Sequence, residues 1–299
     1  MSYKLIANNH TVRKIMKKKI LFLTLIFSIL VLAFMLSSCN KGTDGLEFID
    51  INDDECGVKC GEAKNEAEIV IPKKHNGKAV TTIFNSAFLG CTELKTIKIP
   101  KSITKIEKGA FYKCGNLENV YYGGKINEWC NIEFEHSTAN PMLFAESFYI
   151  KSKAVTEATI GDTDIIRAYA FFGFDNLSSV YIEDSVLTIE SSAFAGCINL
   201  ESVRLPKSME YLEMLVFSSC EKLKSIVIPE GTRKIHPNAF IGCSLKSVEF
   251  EITDGWYKTI KEDESNGDAL VVTDSQENAR AINAKTHVEF WKRKFKVAK

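Results

Sequence analysis

Nine cysteines and five histidines are the side chains of this 299-residue sequence whose chemistry extends to metal binding, redox or nucleophilic attack. Their spacing therefore bears first on function. A zinc site needs four ligands converging on one ion, usually as two close pairs. Here no C-x-x-C occurs, and no nearby His completes a set around Cys56 and Cys60. Those two cysteines stand at i and i+4 of one predicted strand, both on the Val58 face, so they are ~13 Å apart when extended and beyond disulfide reach. The histidines are His10, His75, His136, His236 and His287, and none lies in H-E-x-x-H. The sequence also lacks G-x-S-x-G, G-x-x-x-x-G-K and G-x-G-x-x-G, the spacings that build a nucleophile elbow, a phosphate loop or a dinucleotide site. No catalytic, cofactor-binding or metal-ligating residue is expected, and the chain reads as a non-enzyme.

Cys39 is the exception among the thiols. Residues 16–39 read MKKKILFLTLIFSILVLAFMLSSC: three lysines, a largely apolar run from Ile20 to Leu36, then Ser37 and Ser38. That order of charged, apolar and small residues is a secretory signal, and the run is short for a membrane span of ~20 residues. Leu36-Ser37-Ser38-Cys39 resembles a bacterial lipobox. The resemblance implies a diacylglyceryl thioether on Cys39, cleavage that makes Cys39 the first residue, and an added fatty acyl chain such as palmitate. Two or three chains anchor stably where one does not. Residues 1–38 are thus expected to be a lipoprotein signal peptide whose true start is Met16, followed by a tether over 39–45. Asn40, in place of the Asp that retains such proteins at the inner membrane of Gram-negative cells, favours the outer membrane or cell surface.

Charge narrows the partners. The 38 basic and 38 acidic residues balance, but all six basic groups of the first 38 positions face no acid there. The remaining 261 residues carry a net charge of −6. An acidic body is a poor partner for a phosphate backbone, so no nucleic acid is expected.

What must position any binding group is a repeat. Ala-Phe recurs at Phe88, Phe111, Phe171, Phe194 and Phe240, with Val216 preceding Phe217; the Phe spacings are 23, 60, 23, 23 and 23 residues. Five residues before each Phe stands Ile83, Ile106, Ile166, Ile189, Leu212 or Ile235. Three after stands Cys91, Cys114, Phe174, Cys197, Cys220 or Cys243. Nine and eleven after come pairs such as Ile97/Ile99, Val180/Ile182 and Ile226/Ile228, and Pro100, Pro206 and Pro229 close their strands. A 23-residue unit cannot bury its own apolar face, so stacked turns must share one core. L-x-x-I-x-I alternates with period two, the mark of a short strand with one face inward. The cysteines of the column read as small buried apolar groups in a reduced ladder. Cys130, beside Trp129, is expected to be packed.

The unit I-x-x-x-A-F-x-x-C-x-x-L-x-x-I-x-I-P resembles the BspA-type leucine-rich repeat of bacterial surface proteins, over roughly residues 46–299. That resemblance implies a repeat solenoid: a right-handed coil with a parallel β-sheet, short turns or helices on the other wall, and a small α+β C-terminal cap. Residues 46–79 resemble the family's N-terminal cap and 80–252 carry the repeats. An insertion at about 123–160 holds a short helix anchored by Trp129 and a loop with Asn140-Pro141, and 253–299 form the C-terminal cap. Asp274-Ser275-Gln276-Glu277 is a capping-box pattern that predicts a helix through about Lys285.

Binding is then expected on surfaces. The outward strand positions Lys98, Tyr121, Tyr181, Arg204, Val227 and Glu249 fall on one line across the sheet. Tyr and Arg are frequent interface anchors, so Lys98, Tyr121, Tyr181 and Arg204 are the candidate protein-binding face. The insert is expected to protrude beside it, and the aromatic segment Phe290 to Phe295 is the other candidate. The resemblance implies an exported monomer, held to the membrane through Cys39, that binds host extracellular-matrix proteins or other bacterial surface proteins. The alternative is a periplasmic or envelope scaffold that binds the cell's own proteins.

Overall fold

The structure is a computed structural model that describes residues 42–260, 268–269, 274–283 and 290–293. The signal segment, Met16, Cys39 and the start of the tether lie outside the described residues, as does Phe295.

Each turn of chain contributes one longer strand to one wall and one two-residue strand to another. The longer strands stack in parallel and in register. Ile97 faces Val120 and then Phe148; Ala158 faces Val180 and then Val203; Ile226 faces Val248. These are the inward positions, and all six residues of the first two series are buried, as are Ile226 and Val248, except that Val203 is only partly so. Alternate positions face outward, which is how a period-two pattern presents one apolar and one polar side. The two-residue strands pair likewise, with Ile83 facing Ile106, Ile166 facing Ile189 and Leu212 facing Ile235.

The Ala-Phe turns form the third side, and their regularity has three causes. Phe rings of successive turns stack: Phe88 on Phe111 at 5.3 Å, Phe171 on Phe194 at 4.9 Å, Phe194 on Phe217 at 5.4 Å and Phe217 on Phe240 at 5.7 Å, all within 13° of parallel. A fully buried Phe contributes ~2–3 kcal/mol by burial alone. Secondly, each Phe N–H donates to the carbonyl of the residue before the next Phe, as Phe88 does to Ala110 and Phe194 to Val216. Thirdly, the backbone is left-handed two residues either side of the Phe. Gly109 and Leu215 have φ of 69° and 59°, and Gly90, Gly196 and Ser219 have φ of 69°, 77° and 59°. Such torsions suit Gly and short polar residues. That explains the Gly and Ser that recur there.

The 60-residue gap holds one lengthened turn and a hairpin. Ile106 faces Phe134 and Val120 faces Phe148, each 28 residues on. The five residues beyond 23 match the helix Ile126–Cys130. Phe88 and Phe111 have their stacking partner in each other; beyond Phe111 the insert brings no Phe to the slot. Trp129 takes over, buried against Tyr122, Phe134, Phe148 and Phe174. Its indole N–H donates to the Ala170 carbonyl at 2.7 Å, and Asn140 Nδ2 donates to the same oxygen at 3.1 Å and to Tyr169 O at 2.8 Å. Side chains thus replace the backbone donor that an ordinary preceding turn supplies to this carbonyl. Phe174 stands in the cysteine slot because it completes this aromatic cluster, touching Phe148 at 5.0 Å and Phe171 at 5.1 Å. The strand Ser147–Ile150 then folds back through Lys151 and Ser152 onto Lys153–Ala154, antiparallel. Glu157–Ile160 starts the next parallel sheet.

Both ends are covered. At the first turn an antiparallel pair, Glu47–Asp50 with Glu55–Lys59, joins Lys78–Ile83. At the last, the strand Phe290–Arg293 runs antiparallel along Lys234–Ile235, putting Trp291 opposite Ile235. The helix Ser275–Asn283 lies on Ser247–Phe250, with Asn278 Nδ2 donating to Val248 O and Asn283 Nδ2 to Leu245 O. Asp274 accepts from the N–H groups of Gln276 and Glu277, the N-cap bond of P-free helix starts. The predicted end at Lys285 falls outside the described residues.

Candidate protein-binding face

The outward residues of the long strands are not one line. Three sheets carry them in separate segments: Lys98, Tyr121 and Tyr149; Thr159, Tyr181 and Arg204; Val227 and Glu249. The break between Tyr149 and Thr159 is the hairpin that closes the insert. This corrects the single stripe expected from the 23-residue spacing, which cannot see a strand inserted out of period.

In the first segment every group has a neighbour. Lys98 Nζ bonds Glu68 at 2.7 Å and lies 6.0 Å over the Tyr121 ring, while Tyr121 stacks on Tyr149 at 4.6 Å and 12°. Tyr149 is the residue that sequence reasoning missed, because it lies inside the insert. The second segment is more open. Tyr181 is 49% exposed, and the Arg204 guanidinium sits 5.0 Å over its ring. Arg204 also pairs with Asp184 at 2.7 Å and donates to Ile182 O at 2.5 Å. Hydrogen bonds from Arg204 and from the Lys207 N–H hold the Asp184 carboxyl below its usual range, and Asp184 in turn raises Arg204. The guanidinium is therefore fixed in place, with its plane shared between a ring and a carboxylate. Beside it lies a depression of about 510 Å³, bordered by Lys153, Glu157, Thr159, Tyr181, Ser202 and Arg204.

The expected protrusion is placed differently. Trp129 and its helix are inside, Trp129 fully buried. The exposed element flanking the face is the hairpin at 151–154. The other candidate segment is committed elsewhere: Trp291 is buried, and Phe290 lies edge-on to His236 at 5.1 Å. His236 is for that reason half-buried, where its repeat slot implied an open surface position.

The cysteine column does more than fill space. Cys114, Cys197, Cys220 and Cys243 each donate the thiol hydrogen to the carbonyl of the Phe 26 residues earlier, Phe88, Phe171, Phe194 and Phe217, at 3.0–3.3 Å. Burial pushes Cys114 up to about 12, and thiols held protonated in this way are poor nucleophiles. Among the described residues all eight cysteines are free, and no three His, Cys, Asp or Glu side chains are grouped to hold a metal.

Residues 62–154 and 141–255 match the BspA type leucine-rich repeat region, in six copies. Among solved structures the chain is similar to a leucine rich cell surface protein of Faecalibacterium prausnitzii, with 16% identity over 72% of this chain and 96% of that one, at a TM-score of 0.33. It is also similar to leucine-rich repeat proteins of Bacteroides ovatus (24% identity, 70% of this chain, TM-score 0.41) and Eubacterium ventriosum (22%, 71%, 0.38). It spans about half the length of those two, 52% of each. No curated protein matches it.

Proposed function

Because the chain belongs to the BspA-type leucine-rich repeat family, we propose that it is an exported, non-catalytic binding module, anchored by lipid on Cys39 and exposed at the cell surface. It engages a protein ligand, host extracellular matrix or a neighbouring bacterial surface, through the outward face of its long strands. One observation carries the reading: Tyr181 presents an exposed ring, backed by the Arg204 guanidinium, at the edge of the depression on a hydrogen-bonded sheet. An aromatic ring and a guanidinium that are already positioned lose little freedom on binding, which is what makes such residues strong anchors.

The test uses residues 40–299 as a soluble fragment, measured against immobilised matrix proteins and against intact neighbouring cells. Saturable binding that Tyr181→Ser weakens supports the reading. Binding to neither, together with protection of the full chain from external protease on intact cells, overturns it in favour of an envelope scaffold.

A further inference from the structure

The first turn of the array breaks the cysteine pattern at one point. In every other turn with a cysteine in the column, the thiol reaches the residue occupying the Phe slot one turn back, and there it meets a carbonyl. Cys91 has no such Phe behind it. The slot is identified by its backbone bond: a Phe N–H donates to the carbonyl of the residue before the next Phe, as Phe88 donates to Ala110. The N–H that donates to Ala87 O, at 2.9 Å, is that of Cys60. So Cys60 holds the Phe slot of the turn before Phe88, and Cys91 reaches it as its counterparts reach phenylalanines. The two Sγ atoms lie 3.1 Å apart.

We infer that Cys60 and Cys91 form a disulfide that ties the N-terminal cap to the first repeat. This rests on the export proposed above only for where the oxidation happens; the pairing rests on the geometry. Neighbouring ladder positions bring backbones to the separation a disulfide bridges. A sulfur contact inside van der Waals distance needs a small movement, not a rearrangement, to close. Both side chains are buried, at 6% and 2% exposure, so the bond forms before the first turn is sealed. The chemistry is exchange with an oxidised dithiol of the envelope. One thiolate attacks that disulfide and the second displaces the carrier, so an S–S bond forms between Cys60 and Cys91 while the carrier leaves as its reduced dithiol with both protons. Cys114, Cys197, Cys220 and Cys243 keep their protons on the Phe carbonyls. The 31-residue span from Cys60 to Cys91 would then be closed at the end of the array, where fraying starts.

The full chain, solubilised in detergent, is refolded in a mixed reduced and oxidised glutathione buffer, quenched with an alkylating agent and digested with trypsin without reduction. The expected product is one cross-linked peptide, residues 60–64 joined to residues 79–95, with the other column thiols alkylated. The melting midpoint should fall by several degrees on reduction in the parent and not in Cys60→Ser. Recovery of the two peptides separately alkylated, or a link from Cys91 to Cys114, overturns the inference. The same digest on protein taken from cells reads the compartment. A link there supports both proposals; free thiols there, with a link after refolding, sustain the pairing and count against export.

Discussion

Cys197 donates its thiol to the carbonyl of Phe171, 26 residues earlier, at 3.1 Å. That oxygen also accepts the Phe174 N–H of its own turn, so one carbonyl holds its own turn closed and the next turn against it. Cys197→Ala removes a weak bond and a small buried group and should cost ~1–2 kcal/mol. Phe194→Ala opens a cavity between two stacked rings and should cost ~3–5 kcal/mol. Urea unfolding of the two variants checks the order. Equal losses would mean the column carries as much as the ring stack.

Gly196 has φ of 77°, and a Cβ there would meet nothing nearer than Gly173 at 3.5 Å. Space is not the constraint; torsion is. Gly196→Ala should cost ~1–2 kcal/mol, and Gly196→Asn distinctly less, because Asn visits left-handed backbone more readily. A chain of this size converts each kcal/mol into roughly 2–4 °C of melting temperature. Thermal unfolding of both variants is the measurement.

Trp129→Phe keeps an aromatic ring but loses the N–H that reaches Ala170. Asn140 still bonds the same oxygen, so the loss should be ~1–3 kcal/mol. Combining it with Asn140→Ala should cost more than the sum of the two, since only then is the carbonyl stripped of both side-chain donors. A double-mutant cycle reads that coupling.

Replacing Tyr121 and Tyr181 together by Ser should weaken ligand binding more than tenfold, since each lost anchor is worth ~1–2 kcal/mol or more. The two act from different sheets, so the single variants should add. Tyr181→Ser alone should carry most of the loss, because Tyr121 is half-covered by Lys98 and Tyr149. Surface-plasmon measurements on the four proteins test this, with melting temperature as the control for folding.

Cys39→Ala should abolish incorporation of a fatty-acid probe and release the chain from the membrane. Deleting residues 1–15 should leave both unchanged. Metabolic labelling followed by membrane fractionation separates these outcomes.

Why the array was legible and the face was not comes down to period. Phe, Ile and Leu columns recur because every turn buries the same side chains in the same place, so Phe194 could be aligned with Phe217 by counting. Tyr149 and Cys60 obey the same geometry from turns of 28 residues, and counting by 23 skips them. Cys60 was instead compared with Cys56, its neighbour along the strand, while its contact is 31 residues away. The cysteine column was visible; that its thiols donate was not, because spacing gives the place of a side chain and not the oxygen it faces. Arg204 shows the same limit: its outward position follows from alternation, whereas its bond to Asp184 depends on where a loop after the strand turns.

The antiparallel course of Phe290–Arg293 has a consequence for the size of the molecule. A parallel stack is a template that accepts another copy of its own unit at its open end; a reversed strand offers that unit the wrong polarity and stops accretion. Because the stop is built from residues after 253, it does not depend on how many units precede it. Tandem duplication or loss of a 23-residue segment between Phe171 and Phe240 would therefore change the length of the face in steps of ~4.8 Å while leaving both termini intact. The reach of the face is a quantity that recombination can adjust without redesigning either end.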